Sequence, residues 1–270
     1  MKYLITGASG FLGEELVKRL GGNVRVLARN EGKLVALKEK FPNVEIVIGD
    51  IRNPFVCDKA MQGVDGVYHL AALKHVGIAE ENVKECIEIN IPIQILEATR
   101  KHKPKFIIGI STDKAASRKG VYGTTKFLME RLFSEYEELN PETKYRTVRY
   151  GNVLYSTGSV LCKWRDKMAL GEPITITDPN ATRFFWTVEQ AVDLIFECLE
   201  KATDSTPYNC PMKAMRMGDL LGAMMDTYGT VEVNEIGLQE GENMHEIIVE
   251  GGEDSSQAEM FTRTEILALI

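Results

Sequence analysis

Short apolar runs alternate with longer amphipathic segments along the first 150 residues. The apolar runs predict six strands, over Tyr3–Thr6, Val24–Ala28, Val44–Ile48, Gly66–Leu70, Phe106–Ser111 and Arg146–Tyr150. The segments between them predict helices over Phe11–Leu20, Glu31–Lys40, Val83–Lys101 and Val121–Leu139. Strands that alternate with helices are typical of a parallel sheet covered on both faces. We therefore predict an α/β fold with a Rossmann-type doubly wound parallel sheet.

The alternation stops after Tyr150. Turn-forming residues then gather at Gly151-Asn152, Gly171, Asp178-Pro179 and Pro207, and in the polar stretch Glu240–Ser256. One further helix is predicted over Thr187–Lys201, with Thr187 as its N-cap. We predict a nucleotide-binding Rossmann domain over residues 1–152, to which residues 185–206 return. A smaller C-terminal substrate-binding cap is predicted over residues 153–270.

Composition narrows the class of protein. The 270 residues are 44% hydrophobic and 26% charged, as in ordinary soluble globular proteins. A net charge of −7 argues against a general nucleic-acid surface. No apolar run approaches the roughly 20 residues that span a bilayer. The five cysteines form no CxxC pair, and the four histidines lack metal-ligand spacing, so we expect a reduced, cytoplasmic protein without a metal site.

A glycine-rich turn follows the first predicted strand. Gly7, Gly10 and Gly13 are spaced GxxGxxG and lead into the first predicted helix. Glycines let the backbone approach a pyrophosphate, whose charge a helix N-terminus stabilises. A plain tight turn would need no ligand, but the position at the first strand–helix junction favours dinucleotide binding. The predicted cofactor contacts here are Gly7, Ser9, Gly10, Phe11, Leu12 and Gly13.

Three later loops are candidates for the rest of a dinucleotide site. Arg29 ends the second strand, where an arginine favours NADP and an acid favours NAD, although a surface arginine would look the same. Asp50 and Ile51 follow the third strand, where they would meet the adenine edge. Ala71 and Ala72 follow the fourth and offer small side chains beside the cofactor. Ordinary loop positions would also explain these four residues.

Between Ser111 and Lys126 the chain carries two pairs of groups that can move protons. Tyr122 and Lys126 are four residues apart on a predicted helix and therefore share one face. A nearby ammonium lowers the pKa of a phenol, so Tyr122 is predicted to accept a proton as hydride leaves the same substrate carbon. Thr112 would hydrogen-bond that hydroxyl. Asp113 and Lys114 form a second pair, which simple hydride transfer does not need, although a solvated loop pair is the alternative.

Several segments together resemble a known family. They are GASGFLG from Gly7, HLAALKHVGIAEENVKECIEIN from His69, STDKA from Ser111, YGTTK from Tyr122, VRYGNV from Val148, TRFFWT from Thr182 and GLQEGENMHE from Gly237. They resemble the extended short-chain dehydrogenase/reductase family, and within it the inverting UDP-N-acetylglucosamine 4,6-dehydratases of polysaccharide biosynthesis. The chain departs from that pattern at Cys162, where the family often has proline, and at Gln239-Glu240, where an Arg-Pro pair is common.

The resemblance implies a redox-neutral dehydration. NADP would take hydride from sugar C4 while Tyr122 accepts the hydroxyl proton, and Tyr122 and Lys126 would also contact the cofactor. Lys114 would remove the C5 proton, and a protonated Asp113 would donate to the departing C6 hydroxyl. Hydride would return to C6, and C5 would be reprotonated on the opposite face. This chemistry needs a neutral lysine beside a protonated carboxyl. Burial favours that state and a tight ion pair opposes it.

The resemblance also implies further contacts and partners. Arg183 would bind the substrate diphosphate, with a surface salt bridge as the alternative. Asn152 would hold the nucleotide sugar or shape a turn. Lys74 would line the sugar and cofactor pocket or remain a solvated loop lysine. The implied cofactor is NADP, with NAD as the alternative, the substrate is a UDP-sugar, and a homo-oligomer is expected.

Two other functions remain open at this point. One is a UDP-sugar 4-epimerase or reductase of the same family, which would use only Thr112, Tyr122 and Lys126. The other is a non-catalytic NADP-binding regulator, because a fold does not dictate a function.

Overall fold

A parallel sheet of six strands forms the centre of the molecule. The structure, a computed structural model, describes residues 1–270. The strands are β1 (Tyr3–Thr6), β2 (Val24–Ala28), β3 (Glu45–Ile48), β4 (Gly66–His69), β5 (Phe106–Ile110) and β6 (Lys144–Val148). They lie in the order β3-β2-β1-β4-β5-β6, and every neighbouring pair is parallel. The predicted Rossmann-type sheet is confirmed.

Helices connect these strands. They are α1 (Phe11–Leu20), α2 (Glu31–Lys40), α3 (Pro54–Met61), α4 (Val76–Glu81), α5 (Val83–Asn90), α6 (Ile93–His102), α7 (Lys114–Ser117) and α8 (Gly120–Leu139). Side chains of successive strand residues point to opposite faces. Leu4, Leu27 and Ile107 accordingly enter one hydrophobic core, whereas Ile5 and Ile108 enter another. The sheet is therefore buried on both faces.

Smaller elements follow the parallel sheet. They are β7 (Asn152–Val153), α9 (Val160–Leu170), β8 (Ile174–Ile176), β9 (Thr182–Trp186), α10 (Val188–Lys201), β10 (Ala214–Arg216), α11 (Met217–Tyr228), β11 (Val233–Glu235) and α12 (Arg263–Leu269). Strands β10, β9 and β7 form one small sheet, and β11 pairs with β8. Helix α10 packs on α1 and β6, so Val192 and Ile195 share a core with Leu16. Thr187 caps α10 as predicted, with its hydroxyl 3.3 Å from the Gln190 N–H nitrogen.

Two predicted boundaries were wrong for identifiable reasons. The single helix predicted over 83–101 is two helices, α5 and α6, because Pro92 lacks an N–H and disfavours helical backbone at Ile91. The last strand, predicted over 146–150, ends at Val148, because Arg149 and Tyr150 turn to other partners. The Arg149 N–H donates to the Tyr208 carbonyl, and the Tyr150 carbonyl accepts from the Asp113 N–H. Three other strands were predicted one residue too long: 44–48, 66–70 and 106–111.

Close packing of α8 on β5 generates a test of the core. A β-carbon on Gly109 would lie 2.7 Å from Cζ of Phe133, whose buried ring stacks edge-on against Tyr145 at 6.1 Å. We expect Gly109→Ala to lower the free energy of unfolding by about 1–3 kcal/mol, because a rigid ring must move. Urea denaturation measures the change, and a second substitution, Phe133→Leu, should recover part of the loss.

The matched control is Gly22→Ala. Gly22 is exposed, and a β-carbon there would meet no atom within 4 Å, so it should change the free energy of unfolding by less than about 1 kcal/mol. Equal stability of the Gly109→Ala and wild-type proteins would contradict this account of the packing.

Candidate active site

The loops that follow β1, β4 and β5 meet at one edge of the sheet. Parallel strands all end on the same side, so each of these loops begins at the carboxyl edge where open α/β sheets bind their ligands. The glycine-rich turn follows β1, Ala71 and Ala72 follow β4, and the Thr112–Lys114 segment follows β5. The Ala71 N–H donates to the Thr6 hydroxyl at 3.2 Å, which joins two of these loops.

The glycine-rich turn has the geometry of a phosphate-binding loop. Gly7 has a φ of +73°, and a β-carbon there would lie 2.8 Å from the Ala71 nitrogen. A β-carbon on Gly13 would lie 2.5 Å from Cα of Ala8, so the turn packs directly on the start of α1. Gly10 is the N-cap of α1, and no side chain caps it. The first N–H groups of α1 are therefore available to an anion, and the residues fit a dinucleotide pyrophosphate.

Charged residues surround the predicted adenosine end of the site. Asp50 is half-buried and lies 2.8 Å from an Arg52 guanidinium nitrogen and 3.7 Å from one of Arg29. Hydrogen bonding by Arg52 holds the pKa of Asp50 below its usual value. Ile51 is buried, and Arg29 is exposed at the end of β2. Arg52 was not predicted here; it also pairs with Glu85 and Glu88 of α5, which only the fold brings close to it.

Asp113 is buried and Lys114 is largely shielded from solvent, so the solvated-loop alternative is wrong. Asp113 has no exposed surface, and the Lys114 side chain is 14% exposed. Oδ1 of Asp113 accepts from the Thr112 hydroxyl at 2.7 Å, from the Lys114 N–H at 2.8 Å and from Lys114 Nζ at 3.1 Å. Oδ2 of Asp113 is buried and has no hydrogen-bond partner. One carboxylate oxygen thus accepts three hydrogen bonds, and the other is buried without a partner.

The pKa shifts of the two residues decide between burial and ion pairing. Burial raises the pKa of Asp113, and the attraction of Lys114 only partly opposes it. Burial alone would lower the pKa of Lys114, but the attraction of Asp113 and Glu246 outweighs it, and the pKa is raised. Burial therefore prevails for the carboxyl group, whereas the ion pair prevails for the amine.

Tyr122 and Lys126 lie one turn apart at the start of α8, as predicted. Burial raises the pKa of Tyr122 to about 12, opposed first by the charge of Lys114. The predicted lowering of this pKa by Lys126 was therefore wrong, because desolvation of the phenol is the larger effect and Lys114 supplies the opposing cation. Burial also lowers the pKa of Lys126 to about 8, against the attraction of Glu130. Ser111 and Arg149 hold the Glu130 carboxylate.

Glu246 belongs to this buried cluster and was missed in the sequence. Its Oε1 lies 3.2 Å from Lys114 Nζ and 3.9 Å from Arg183 Nε. The attraction of Lys114 and Arg183 outweighs burial, which would raise its pKa, so the pKa of Glu246 is lowered. The residue lies in the GLQEGENMHE segment that carries the resemblance. Nothing in its local pattern distinguishes it from the exposed acids nearby, and only the fold brings it to Lys114.

The other predicted substrate residues have different surroundings. Arg183 is buried in β9 and donates to the carbonyls of Thr182 at 2.8 Å and Met244 at 3.0 Å, so it is not a surface salt bridge. Asn152 is half-buried in β7, and Lys74 is exposed in the loop after β4. Neither side chain makes a hydrogen bond or ion pair with the Asp113–Lys114–Glu246 cluster.

Comparison with known proteins identifies the family. The sequence model described as "Polysaccharide biosynthesis protein" matches residues 3–267. The chain belongs to this family. The inverting UDP-N-acetylglucosamine 4,6-dehydratase of Campylobacter jejuni is 33% identical over 258 residues, which cover 91% of this chain and 76% of that protein. A UDP-glucose 4-epimerase of Rickettsia canadensis is 32% identical over 272 residues, covering 95% and 79%. An uncharacterized membrane protein of Methanocaldococcus jannaschii is 33% identical over 264 residues, covering 91% and 79%.

Solved structures support the same fold. The X-ray structure of Pen from Bacillus thuringiensis superposes with a TM-score of 0.93 at 29% identity and covers 99% of this chain and 97% of Pen. The dTDP-glucose 4,6-dehydratase DesIV of Streptomyces venezuelae, solved with NAD and TYD bound, superposes with a TM-score of 0.83 at 19% identity, covering 100% and 95%. The resemblance to dehydratases and epimerases of the extended short-chain dehydrogenase/reductase type is confirmed. In the present structure, no helix combines the length and apolar character needed to cross a bilayer.

The buried Lys126 generates a prediction about stability and pH. A lysine whose pKa falls from 10.5 to about 8 on folding destabilises the fold fully below pH 8, and this cost disappears as the pH rises toward 10.5. We expect Lys126→Met to raise the free energy of unfolding at pH 7 by about 1–3 kcal/mol, with the gain shrinking toward pH 10. Urea denaturation between pH 7 and 10 measures it.

The control for this experiment is Lys84→Met. The Lys84 side chain is 86% exposed, so its removal should give a small change without that pH dependence. A gain for Lys126→Met that stays constant from pH 7 to 10 would show that the amine is not desolvated as described.

Proposed function

We propose that this protein is an inverting UDP-N-acetylglucosamine 4,6-dehydratase that uses NADP. The observation that carries the proposal is the buried Asp113–Lys114 pair at the end of β5, beside Tyr122. A simple alcohol dehydrogenase needs one proton acceptor at the carbon that loses hydride. This site has a second acid–base pair, Asp113 and Lys114, and Asp113 accepts a hydrogen bond from Thr112. Elimination of water requires such a second pair.

The glycine-rich turn and the N-terminus of α1 would hold the cofactor pyrophosphate, with Ser9, Phe11 and Leu12 in contact with it. Ala71 and Ala72 would line its path, Asp50 and Ile51 would meet the adenosine end, and Lys126 would contact the nicotinamide ribose. Arg29 is exposed where a 2′-phosphate would lie, which favours NADP. When bound, the dinucleotide accepts one hydride and returns it, so the overall reaction is the redox-neutral loss of one water.

The substrate diphosphate would lie at Arg183. A guanidinium matches two phosphate oxygens at once, and a buried guanidinium binds them without competition from water. Asn152 would hold the sugar nucleotide, and Lys74 would line the outer part of the sugar pocket. The names of the Campylobacter and Rickettsia relatives support a UDP-sugar as the ligand.

Proton transfers at the sugar would be divided among Tyr122, Lys114 and Asp113. Tyr122 would take the C4 hydroxyl proton while Thr112 hydrogen-bonds the oxygen. The resulting C4 ketone acidifies the C5–H bond, and Lys114 would take that proton. Asp113 would give a proton to the C6 hydroxyl, which leaves as water. Reprotonation of C5 on the opposite face would invert that carbon, and the two protons released balance the two consumed.

The resting ion pair would become reactive by moving one proton. Lys114 Nζ lies 3.1 Å from Asp113 Oδ1, so transfer of a proton between them gives a neutral amine and a protonated carboxyl together. Burial, which already raises the pKa of Asp113, favours this state, whereas the attraction that raises the pKa of Lys114 opposes it. The unpartnered Oδ2 of Asp113 suits a carboxyl group that must face the departing C6 hydroxyl.

A 4-epimerase is the second candidate, because the Rickettsia epimerase is nearly as similar to this chain as the Campylobacter dehydratase. An epimerase would use Thr112, Tyr122 and Lys126 and would leave Asp113 and Lys114 without a chemical role. The two functions therefore differ in their dependence on Lys114.

Incubation with UDP-N-acetylglucosamine in deuterated water tests the reaction. We expect a product lighter by one water, apart from the deuterium gained, with solvent deuterium at C5 and inverted configuration, measured by mass spectrometry and proton NMR. Lys114→Ala should slow dehydration at least about 100-fold, because C5 loses its base, and should leave C4 oxidation in place. Binding of the nucleotide sugar without loss of water would defeat the proposal. Interconversion of C4 epimers without loss of water, retained in Lys114→Ala, would favour the epimerase.

Cofactor preference has its own test at Arg29. We expect Arg29→Ala to weaken NADP binding about tenfold, as loss of about 1.4 kcal/mol implies, and to change NAD binding little. Tryptophan or nicotinamide fluorescence titration measures both dissociation constants. Arg19→Ala, a control on α1 that removes an equally charged exposed side chain, should affect neither. Equal losses for the two cofactors at Arg29→Ala would overturn the assignment of NADP.

A further inference from the structure

Four charged side chains meet in the interior beside Tyr122. They are Asp113, Lys114, Arg183 and Glu246, and the three besides Lys114 are all less than 10% exposed. Lys114 Nζ lies between two carboxylate oxygens, 3.1 Å from Asp113 Oδ1 and 3.2 Å from Glu246 Oε1. The proposed reaction uses the first carboxylate, as the acid that releases the C6 hydroxyl. It assigns no role to the second.

Glu246 is held rigidly in this position. Its Oε2 accepts from Asn243 Nδ2 at 3.0 Å, and the same amide donates to the Ser117 hydroxyl at 3.0 Å. The Glu246 N–H donates to the Ser255 hydroxyl at 2.9 Å, and Ser255 in turn donates to the Thr182 carbonyl at 3.0 Å. Hydrogen bonds hold both the Glu246 N–H and its Oε2. Because of these bonds, Oε1 stays directed at the Lys114 amine.

Every charged or titratable group that faces the amine can be named. Asp113 comes from the same turn, Tyr122 from α8, Arg183 from β9, and Glu246 from the segment that follows β11. Two of these groups are acids that pair with the amine, and Arg183 repels it. Removing the carboxylate of Glu246 would therefore leave the amine with Asp113 as its one carboxylate partner.

We propose that Glu246 is a positioning residue that fixes the Lys114 amine between two carboxylates and sets the pH range in which the Asp113–Lys114 pair works. The proposal rests on the dehydration proposed above. Arg183 lies 3.9 Å from Glu246 but also donates to the carbonyls of Thr182 and Met244, which Glu246→Gln does not remove, so the phosphate contact should stay in place. The effect should therefore fall on the pH dependence of catalysis and not on the KM for the nucleotide sugar.

The first experiment compares pH profiles of kcat/KM for wild type and Glu246→Gln. The amide keeps the shape of the side chain and removes its charge, and its single oxygen can accept from Asn243 or from Lys114 but not from both. The Asp113–Lys114 pair is proposed to work while it shares one proton. Its pH profile of kcat/KM then falls on two limbs, one at low pH and one at high pH. Loss of a neighbouring negative charge makes each protonation less favourable, so both limbs should move to lower pH by about one unit. The KM should stay within about threefold.

The matched control is Glu250→Gln, the same chemical change in the same segment. The Glu250 side chain is 68% exposed and pairs with Arg118, outside the cluster, so its limbs should coincide with those of wild type. A purely structural role of Glu246 would lower kcat without moving the pH profile. The proposal is therefore overturned if both limbs stay in place in Glu246→Gln, even if kcat falls.

A second readout does not need turnover. Trace acetic anhydride reacts only with neutral amines, and peptide mass spectrometry gives the rate at Lys114 relative to exposed Lys84. A decrease of one unit in the pKa of the amine raises its neutral fraction about tenfold, so Lys114 should react about tenfold faster in Glu246→Gln at pH 8.

The two readouts separate the two proposals. Wild-type protein that binds the nucleotide sugar without dehydrating it defeats the proposed function, and an unchanged labelling ratio then defeats the role of Glu246 as well. Wild-type protein that dehydrates, with limbs and labelling unchanged by Glu246→Gln, defeats only the role of Glu246. Faster labelling without a displaced profile would mean a loosened loop, and it also overturns the proposal.

Discussion

Removal of Asp113 and Lys114 from water is the constraint around which this site is arranged. A carboxylate and an ammonium each lose several kcal/mol of hydration on burial, and only close opposite charges and hydrogen bonds can offset that loss. The structure supplies them through the Thr112 hydroxyl, the Lys114 N–H and the Glu246 carboxylate. The unpartnered Oδ2 of Asp113 is the one polar atom of the cluster left without compensation.

The architecture brings this cluster together from distant parts of the chain. The Asp113 N–H bonds to the Tyr150 carbonyl, which fixes the segment after β5 against the segment after β6. Helix α8 lies close over the same segment, since a β-carbon on Gly123 would be 2.4 Å from the Lys114 carbonyl oxygen. That approach places Tyr122 beside Thr112 and Lys114. Arg183 lies on β9, and Glu246 lies in the polar segment that follows β11. The Asp113–Lys114 pair therefore lies where the parallel sheet meets the later, smaller elements.

Proteins named as dehydratases and as epimerases are similar to this chain over most of its length. A fold of this type does not by itself decide between these reactions. Hydride transfer at a sugar carbon needs one proton acceptor, which we propose to be Tyr122, whereas elimination of water needs a further acid and base. The charge and burial of Asp113, Lys114 and their neighbours are the features on which the proposed choice depends.

The linear pattern determined the sheet and the chemical composition of the site. Strands β1 and β2 and helices α1 and α2 could be predicted to the residue, because apolar periodicity and the flanking glycines and polar residues are local signals. The motifs from Gly7 and Ser111 likewise indicated a nucleotide-binding edge with two proton-transferring pairs. The apolar periodicity gave a wrong helix boundary where a single residue interrupts the helix. Pro92 divides one predicted helix into α5 and α6.

Tertiary structure decided which charges interact. Desolvation and Coulomb attraction depend on distances through space, and the separation of residues along the chain does not report those distances. The sequence therefore left open whether burial or ion pairing governs Asp113 and Lys114, and the fold answered differently for each. It also raised the pKa of Tyr122, which neighbouring Lys126 had been expected to lower. Glu246 lies 132 residues beyond Lys114 in the chain, and only the packing of the segment after β11 against α7 makes it a partner of that lysine.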